Sequence, residues 1–447
     1  MAVTVPGVSG VATLTLGTGD VLSLAAALGF ALQNTLPGGA SPSAATVTGG
    51  VIQAPPTTTG YNDIILQPGG AAISSTIPGN VSVVASLTTT SDTLTGTNVA
   101  ILTNTVGGSY AVTGNSTVAA TGGNNTISAS GTFLVSTGTG NNMISVTGSG
   151  TVATGTGTST VKASGTGNFI QVAGTSDVVQ TTGSSSVLAS GSGADITLGT
   201  GLSYVTVGGG GGNIVHVGSG DATITATGNS ANPVVYGGSN ALTYLGGSAA
   251  GSIVGGTGGT DSVTAGSGGV LFSVGTSNHG TLVGGSGYST VFGGSGSDLT
   301  INSGSGGAVW VASGGNETLN GSGSANGNFI SGGSTIGTGN VVIIGGAGND
   351  TMLAGAGNDS FTGGGGANAF AFFAHDTAGG QDVITDFNSK DSLFLVGYDS
   401  TKSAFSNSSS GALTLKLSDS TTITFTNLTN STSLNGHYLY APANPIG

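Results

Sequence analysis

The sequence contains no cysteine and no arginine, one glutamate (Glu317) and one tryptophan (Trp310). Without cysteine, disulfides and thiol chemistry are excluded, which suits a secreted protein. Four Lys+Arg face 17 Asp+Glu, giving a formal net charge of −13. Phosphate recognition therefore lacks its usual donors, and nucleic acid is not an expected partner. Only 5% of residues are charged while 36% are hydrophobic, which sets the chain apart from acidic disordered segments. No run of about 18 apolar residues occurs, so no membrane span is expected. The opening residues, MAVTVPGVSG, carry no basic region, so no Sec-type signal is expected either.

What the chain does have is glycine, 89 residues of it. All its acids but Glu317 are aspartate, the short side chain that bonds its own backbone in tight turns. Asp350, Asp359, Asp376, Asp382, Asp386, Asp391 and Asp399 crowd into one segment, a density that favours divalent cations. A nonapeptide occurs there twice without a gap, GGAGNDTML at 345–353 and AGAGNDSFT at 354–362. A looser copy, GGGGANAFA, fills 363–371. Each unit is a glycine turn with one aspartate followed by a short alternating strand. This is the G-G-x-G-x-D-x-U-x pattern of a calcium-binding parallel β-roll, U being a large apolar residue. Glycine permits positive φ and close approach of carbonyl oxygens to an ion, and aspartate adds a hard anionic oxygen.

Upstream, apolar positions recur every eight to ten residues. Ile127, Ile144, Val152, Val161, Ile170, Val179, Val187, Ile196, Val205 and Ile214 lead on through Ile224, Val235, Ile253, Val263, Phe272, Leu282, Val291, Leu299, Val309, Leu319, Phe329 and Ile343 to Met352, Phe361 and Phe370. GSG, GTG and SGG turns separate them. The segments alternate: Val161 and Ala163 share one face and Thr160 and Lys162 the other, while Ile170 and Val172 point in and Gln171 out. Period-two alternation in such short segments means strand, and interior glycine costs a helix about 1 kcal/mol each. The fold class is therefore all-β, a right-handed parallel β-helix or β-roll solenoid with two nine-residue units per coil. Its C-terminal turns would be calcium-bound, with capping segments at both ends. Four regions follow: 1–110, an N-terminal capping or assembly region with a helix at 20–36; 111–343, a mostly calcium-free solenoid; 344–371, the calcium roll; and 372–447, an antiparallel C-terminal cap. In the cap, Leu413, Leu415, Leu417, Ile423 and Phe425 should face inward. Asp177, Asp195, Asp221 and Asp261 sit singly near turns and read as turn caps. GGSGSDLTI at 293–301 approaches the calcium pattern and brings Asp298 as its acid.

The last 110 or so residues resemble the RTX family of bacterial type I secreted proteins, through the nonapeptides and the segment FAFFAHDTAGGQDVITDFNSKDSLFLVG that follows them. The resemblance implies Ca2+ as cofactor, with Asp350 and Asp359 as ligands and Gly346, Gly348, Gly355 and Gly357 offering carbonyl oxygens. The third copy would add Gly364, Gly366 and Asn368, the last standing where the family has an aspartate. Asp382 and Asp386, from the family's D-x-I-x-D-F stretch, would bind a closing ion. Lys390 precedes Asp391 where the family has a glycine, so Asp391 is not carried over. The resemblance also implies export by type I secretion, with a secretion signal in 372–447, and folding in external calcium.

Enzymatic function finds little support in the sequence, which has no HExxH and no GxSxG motif, and whose four histidines (His216, His279, His375, His437) lie far apart. A threonine array such as TITATG at 223–228 would suit ice binding. Trp310, Tyr204, Tyr236, Tyr244 and Tyr288 could stack on sugars, with a cell-surface polysaccharide as partner. The reading favoured over a glycan-binding adhesin, a β-helix polysaccharide-active enzyme or an ice-binding protein is structural. It is a subunit that associates with itself outside the cell, as a fibre, surface layer or biofilm matrix.

Overall fold

An alternating strand of four or five residues buries one face only if a neighbour stacks on it, so the chain must coil upon itself. The computed structural model describes residues 72–442 apart from 87, 89, 229–231, 277, 313, 333–338 and 375–379. Before residue 72 it describes 2–7, 10–15, 47–48, 50–53 and 62–66. The helix expected at 20–36 and the pair His375 and Asp376 lie outside the described residues. The chain divides into two compact units, Met1–Val215 and His216–Gly447.

In the first unit two antiparallel hairpins come first, Ala2–Gly7 with Gly10–Thr15 and Val47–Thr48 with Val51–Ile52. A parallel ladder then begins at Asn62–Leu66, which pairs with Val81–Ser86. The solenoid thus starts well before residue 111, where the sequence placed it. The early coils carry prolines and few glycine turns, so their period is obscured, although Val84, Leu94 and Ile101 are fully buried. Ser109–Ala120, Thr126–Thr137 and Met143–Ala153 are long strands in exact parallel register, Tyr110 over Ile127 and Ile127 over Ile144. Beyond them the strands shorten to two per coil. Val161, Val179 and Ile196 stack in one sheet, and Ile170, Val187 and Val205 in the other.

The second unit repeats the two-sheet coil. One inward column runs Ile224, Tyr244, Val263, Leu282, Ile301, Leu319, Ile343, Phe361, Ile384, Phe425. The facing column runs from Val235 through Phe272, Trp310 and Met352 to Phe370 and Leu393. Phe361 meets Phe370 and Phe372 edge-on at centroid distances of 6.3 and 5.7 Å, an arrangement aromatic quadrupoles favour. At the C-terminal end Ala404–Asn407, Leu413–Lys416 and Thr422–Phe425 form the antiparallel meander. Gln381–Ile384 and Ser392–Val396, expected to be antiparallel, instead extend the parallel ladder. The five cap residues named from sequence are all buried.

Most apolar positions read from the sequence point inward, but three are off by one. Val215, Trp310 and Ile330 are fully buried, while Ile214 and Val309 are half-exposed and Phe329 is exposed. In IVH, VWV and FIS both phases of a period-two pattern offer an apolar residue, and a one-residue slip turns every side chain over.

Candidate metal centre

The turns are organised by a polar rail that the apolar period does not reveal. At several coils an asparagine or aspartate stands two residues before an inward apolar residue, is buried, and accepts a backbone N–H from the coil before. Gly108 N donates to Asn125 Oδ1 (2.9 Å) and Asn125 N to Asn142 Oδ1 (3.1 Å). Ser159 N donates to Asp177 Oδ1 (2.7 Å), Ala194 N to Asn213 Oδ1 (2.9 Å) and Ala308 N to Asn328 Oδ1 (2.9 Å). These bonds span 17, 18, 19 and 20 residues, close to the two nonapeptides per coil expected from the sequence. The rail satisfies buried amides that the turns would otherwise orphan. The pairs Asn125–Ile127, Asn142–Ile144 and Asp177–Val179 show that the signal was present in the sequence, as a polar residue at i before an apolar one at i+2.

The nonapeptide aspartates occupy this rail. Asp350 Oδ1 accepts from Asn328 N (2.7 Å) and Asn328 Nδ2 (2.8 Å), and its Oδ2 accepts from Gly346 N (2.9 Å). Asp359 accepts from Val341 N (2.9 Å) and Gly355 N (2.8 Å). Asn368 continues one line, accepting from Asp350 N (3.0 Å) and donating its own N–H to Asp391 Oδ1 (2.9 Å). Asp382 Oδ1 continues the other, accepting from Asp359 N (2.9 Å). Asp386 stands half-buried and receives the amides of Gly363 and Gly364, each at 2.7 Å. Asp391, which the resemblance left out, is fully buried and also accepts from Asn388 N (2.9 Å).

Asp298 is placed differently. Leu299 and Ile301 point inward, so the rail position falls on Ser297, whose Oγ accepts from Gly294 N (3.0 Å). Asp298 faces solvent and pairs with His279 Nδ1 at 3.5 Å. In GGSGSDLTI the U position is Thr300, and that polar residue lets the strand settle one residue out of phase with its calcium-type relatives.

The chemistry of the donors fits Ca2+. Asp350, Asp359, Asp382 and Asp391 are buried to 2% exposure or less, and no lysine or histidine among the described residues forms an ion pair with them. Burial raises the pKa of Asp359 and of Asp391. Burial, followed by the fields of Asp359 and Asp419, pushes Asp382 up to about 8. A hard cation would relieve this desolvated charge. Among the described residues no three acidic or histidine side chains converge on one point, so an ion here needs backbone carbonyls as well. The glycines supply them. Gly364 and Gly366 both have φ +80, and a Cβ on either would run into the carbonyl oxygen of Gly346 or Gly348 in the coil before. Gly355 and Gly357 stack in the same way on the carbonyls of Gly332 and Gly339. The residues that would hold calcium are therefore Asp350, Asp359 and these carbonyl-lined turns, with Asp382 and Asp386 at the end. Bound calcium would supply charge neutralisation and cross-linking of adjacent coils.

Residues 274–307 and 337–370 match the family profile of the RTX calcium-binding nonapeptide repeat, in four copies. These segments are RTX repeats. Ca2+ is accordingly the ion of this site. A comparison with curated proteins finds none that matches the chain. The RTX segments lie in the second unit, and the rail before them is mostly neutral, with Asp177 and Asp261 as carboxylates.

One rail carboxylate upstream makes a separate prediction. Asp261 is fully buried, accepts from Asn278 Nδ2 (2.6 Å) and Gly256 N (3.2 Å), and leaves Oδ1 without a partner. Burial pushes its pKa up to about 6. The folded state then holds the proton more tightly than the unfolded chain. The stability this provides is complete below about pH 4 and is lost as pH rises through 6. Asp261→Asn is expected to flatten the thermal stability profile between pH 4 and 6 and to gain about 2 kcal/mol at pH 7; melts across that range check it.

The aromatic residues weighed as sugar platforms divide. Trp310 and Tyr244 are fully buried in the core columns, whereas Tyr204, Tyr236 and Tyr288 are exposed. His216 lies outward and stacks on Tyr236 at 4.9 Å, with 6° between the ring planes.

Proposed function

We propose that the protein is a secreted structural subunit that folds on calcium outside the cell and associates with copies of itself into a fibre, surface layer or biofilm matrix. What carries this reading is the continuity of the repeat. Within each unit the described strands, apart from the two N-terminal hairpins, belong to one coiled ladder or to the meander that ends it. Such architecture presents long regular faces rather than a single cleft. The RTX segments support the external setting, because RTX repeat proteins are typically secreted and extracellular calcium is plentiful enough to fill sites of millimolar affinity. No described helix is long and apolar enough to cross a membrane. Export is assigned to type I secretion, and the chain's role to assembly rather than catalysis. Electron microscopy of the purified full chain should show ordered fibres or sheets in millimolar calcium and dispersed particles in chelator. Dispersed monomers at high concentration in calcium would overturn the assignment.

A further inference from the structure

Asp261 is held differently from the rail carboxylate of the first unit. Asp177 accepts one backbone amide on each oxygen, Ser159 N on Oδ1 (2.7 Å) and Gly174 N on Oδ2 (2.8 Å). At Asp261 both donors, Gly256 N (3.2 Å) and Asn278 Nδ2 (2.6 Å), go to Oδ2. Oδ1 accepts nothing, although Leu242 lies in register in the coil before. Asn278 is left with a like orphan. Its Nδ2 also donates to Gly256 O (3.3 Å), while its own Oδ1 accepts nothing. The two side chains are 0% and 1% exposed, and a buried acceptor without a partner needs a reason. The local sequence supplies one. GGTGGTDSVT at 255–264 is the calcium unit with one residue added between its glycines and its aspartate. Asp261 accepts from Gly256, the second residue of its unit, as Asp350 accepts from Gly346 and Asp359 from Gly355. Glycine is required around the carboxylate: a Cβ on Gly255 would run into Asp261 Oδ2, and one on Gly275 into Gly256 O.

We infer that Asp261, Asn278 and the carbonyl of Gly256 hold a further calcium ion, at a unit that lies before both RTX segments. Calcium takes hard oxygens, about six to eight of them, and water completes a set the protein leaves short. Turning the Asn278 amide over brings its Oδ1 towards Gly256 O and Asp261 Oδ2, where Nδ2 now stands. Three oxygens so placed repel one another unless a cation lies among them. Without the ion, Nδ2 takes the cation's part. This accounts for an amide whose donor is used twice and whose acceptor is not used at all. A buried water would satisfy the orphaned oxygens but leave the charge uncompensated. Among the described residues no lysine or histidine pairs with Asp261, and His279, next to Asn278, turns outward to Asp298 at 3.5 Å.

Hydrogen–deuterium exchange of the full chain in calcium, in magnesium and in chelator measures the site locally. Calcium should slow exchange across 255–263 by about fivefold or more, and magnesium at the same concentration by less than about twofold. Asp261→Asn should abolish this local response and leave that of 345–371 intact. Its thermal melt shows that the variant is folded: the gain expected of it above appears in chelator and is offset in calcium by the lost site. Asn278→Asp adds a second carboxylate. It should lower the calcium concentration for half-protection of 255–263 by about tenfold, a gain that damage to the fold cannot imitate. Exchange in 255–263 that ignores calcium in wild type, as a site filled by water alone would show, overturns the inference. So does a full calcium response there in Asp261→Asn, or equal protection by magnesium.

Discussion

Asp359→Ala is expected to destabilise the second unit by about 2–5 kcal/mol in chelator and to abolish most of the gain from calcium. The carboxylate accepts the amides of Val341 and Gly355 in a buried turn, and each amide left unsatisfied costs roughly 1–3 kcal/mol. Asp359→Asn separates the two roles. Its amide oxygen still serves Val341, as Asn328 and Asn368 serve the same rail, and it removes a carboxylate that burial disfavours. Because Nδ2 cannot accept from Gly355 N, this variant should lose about 1–3 kcal/mol in chelator, less than Asp359→Ala, and fail to respond to calcium. Urea or thermal unfolding with and without calcium distinguishes the outcomes. Equal calcium responses in wild type and Asp359→Asn would mean that the carboxylate is a rail member and not a ligand.

The second large effect is that of calcium on the wild-type chain. An ion that binds only the folded state stabilises it by about 2.7 kcal/mol at a concentration one hundred times its Kd. The structure sets where this should be felt. In the first unit Asn125, Asn142 and Asn213 join adjacent coils through neutral amides, and the rail carboxylate Asp177 has both oxygens bonded to backbone amides outside any RTX repeat. In the RTX coils the same positions hold Asp350, Asp359 and Asp382, whose buried charge is only partly offset by amide donors. Calcium dependence should therefore be confined to the second unit.

The inward columns were readable because period-two alternation and glycine spacing report burial directly, as at Ile144, Val161, Val179 and Ile196. Where both phases were apolar the signal carried no direction, and Trp310 rather than Val309 fills the core. Asp298 lies within a matched repeat, but Thr300 is polar where its relatives have a large apolar residue, so Leu299 and Ile301 take the core and Ser297 the rail position. Tandem copies fix the phase of Asp350 and Asp359, so their burial in the turns was legible. The rail itself went unseen because asparagine and serine before a strand look like ordinary turn residues, and only the coil-to-coil register shows them stacked. The early coils from Asn62 were missed because they lack the glycine turns that mark the period.

Hydrogen–deuterium exchange on the dilute full-length chain, with and without calcium, tests the central claim most directly. Calcium should slow exchange at the amides of Gly346, Gly355, Gly363 and Gly364 by tenfold or more and leave 109–207 unchanged. Exchange in 345–371 that is indifferent to calcium, or that slows equally along the whole chain, would contradict a solenoid held at its C-terminal coils by bound ions.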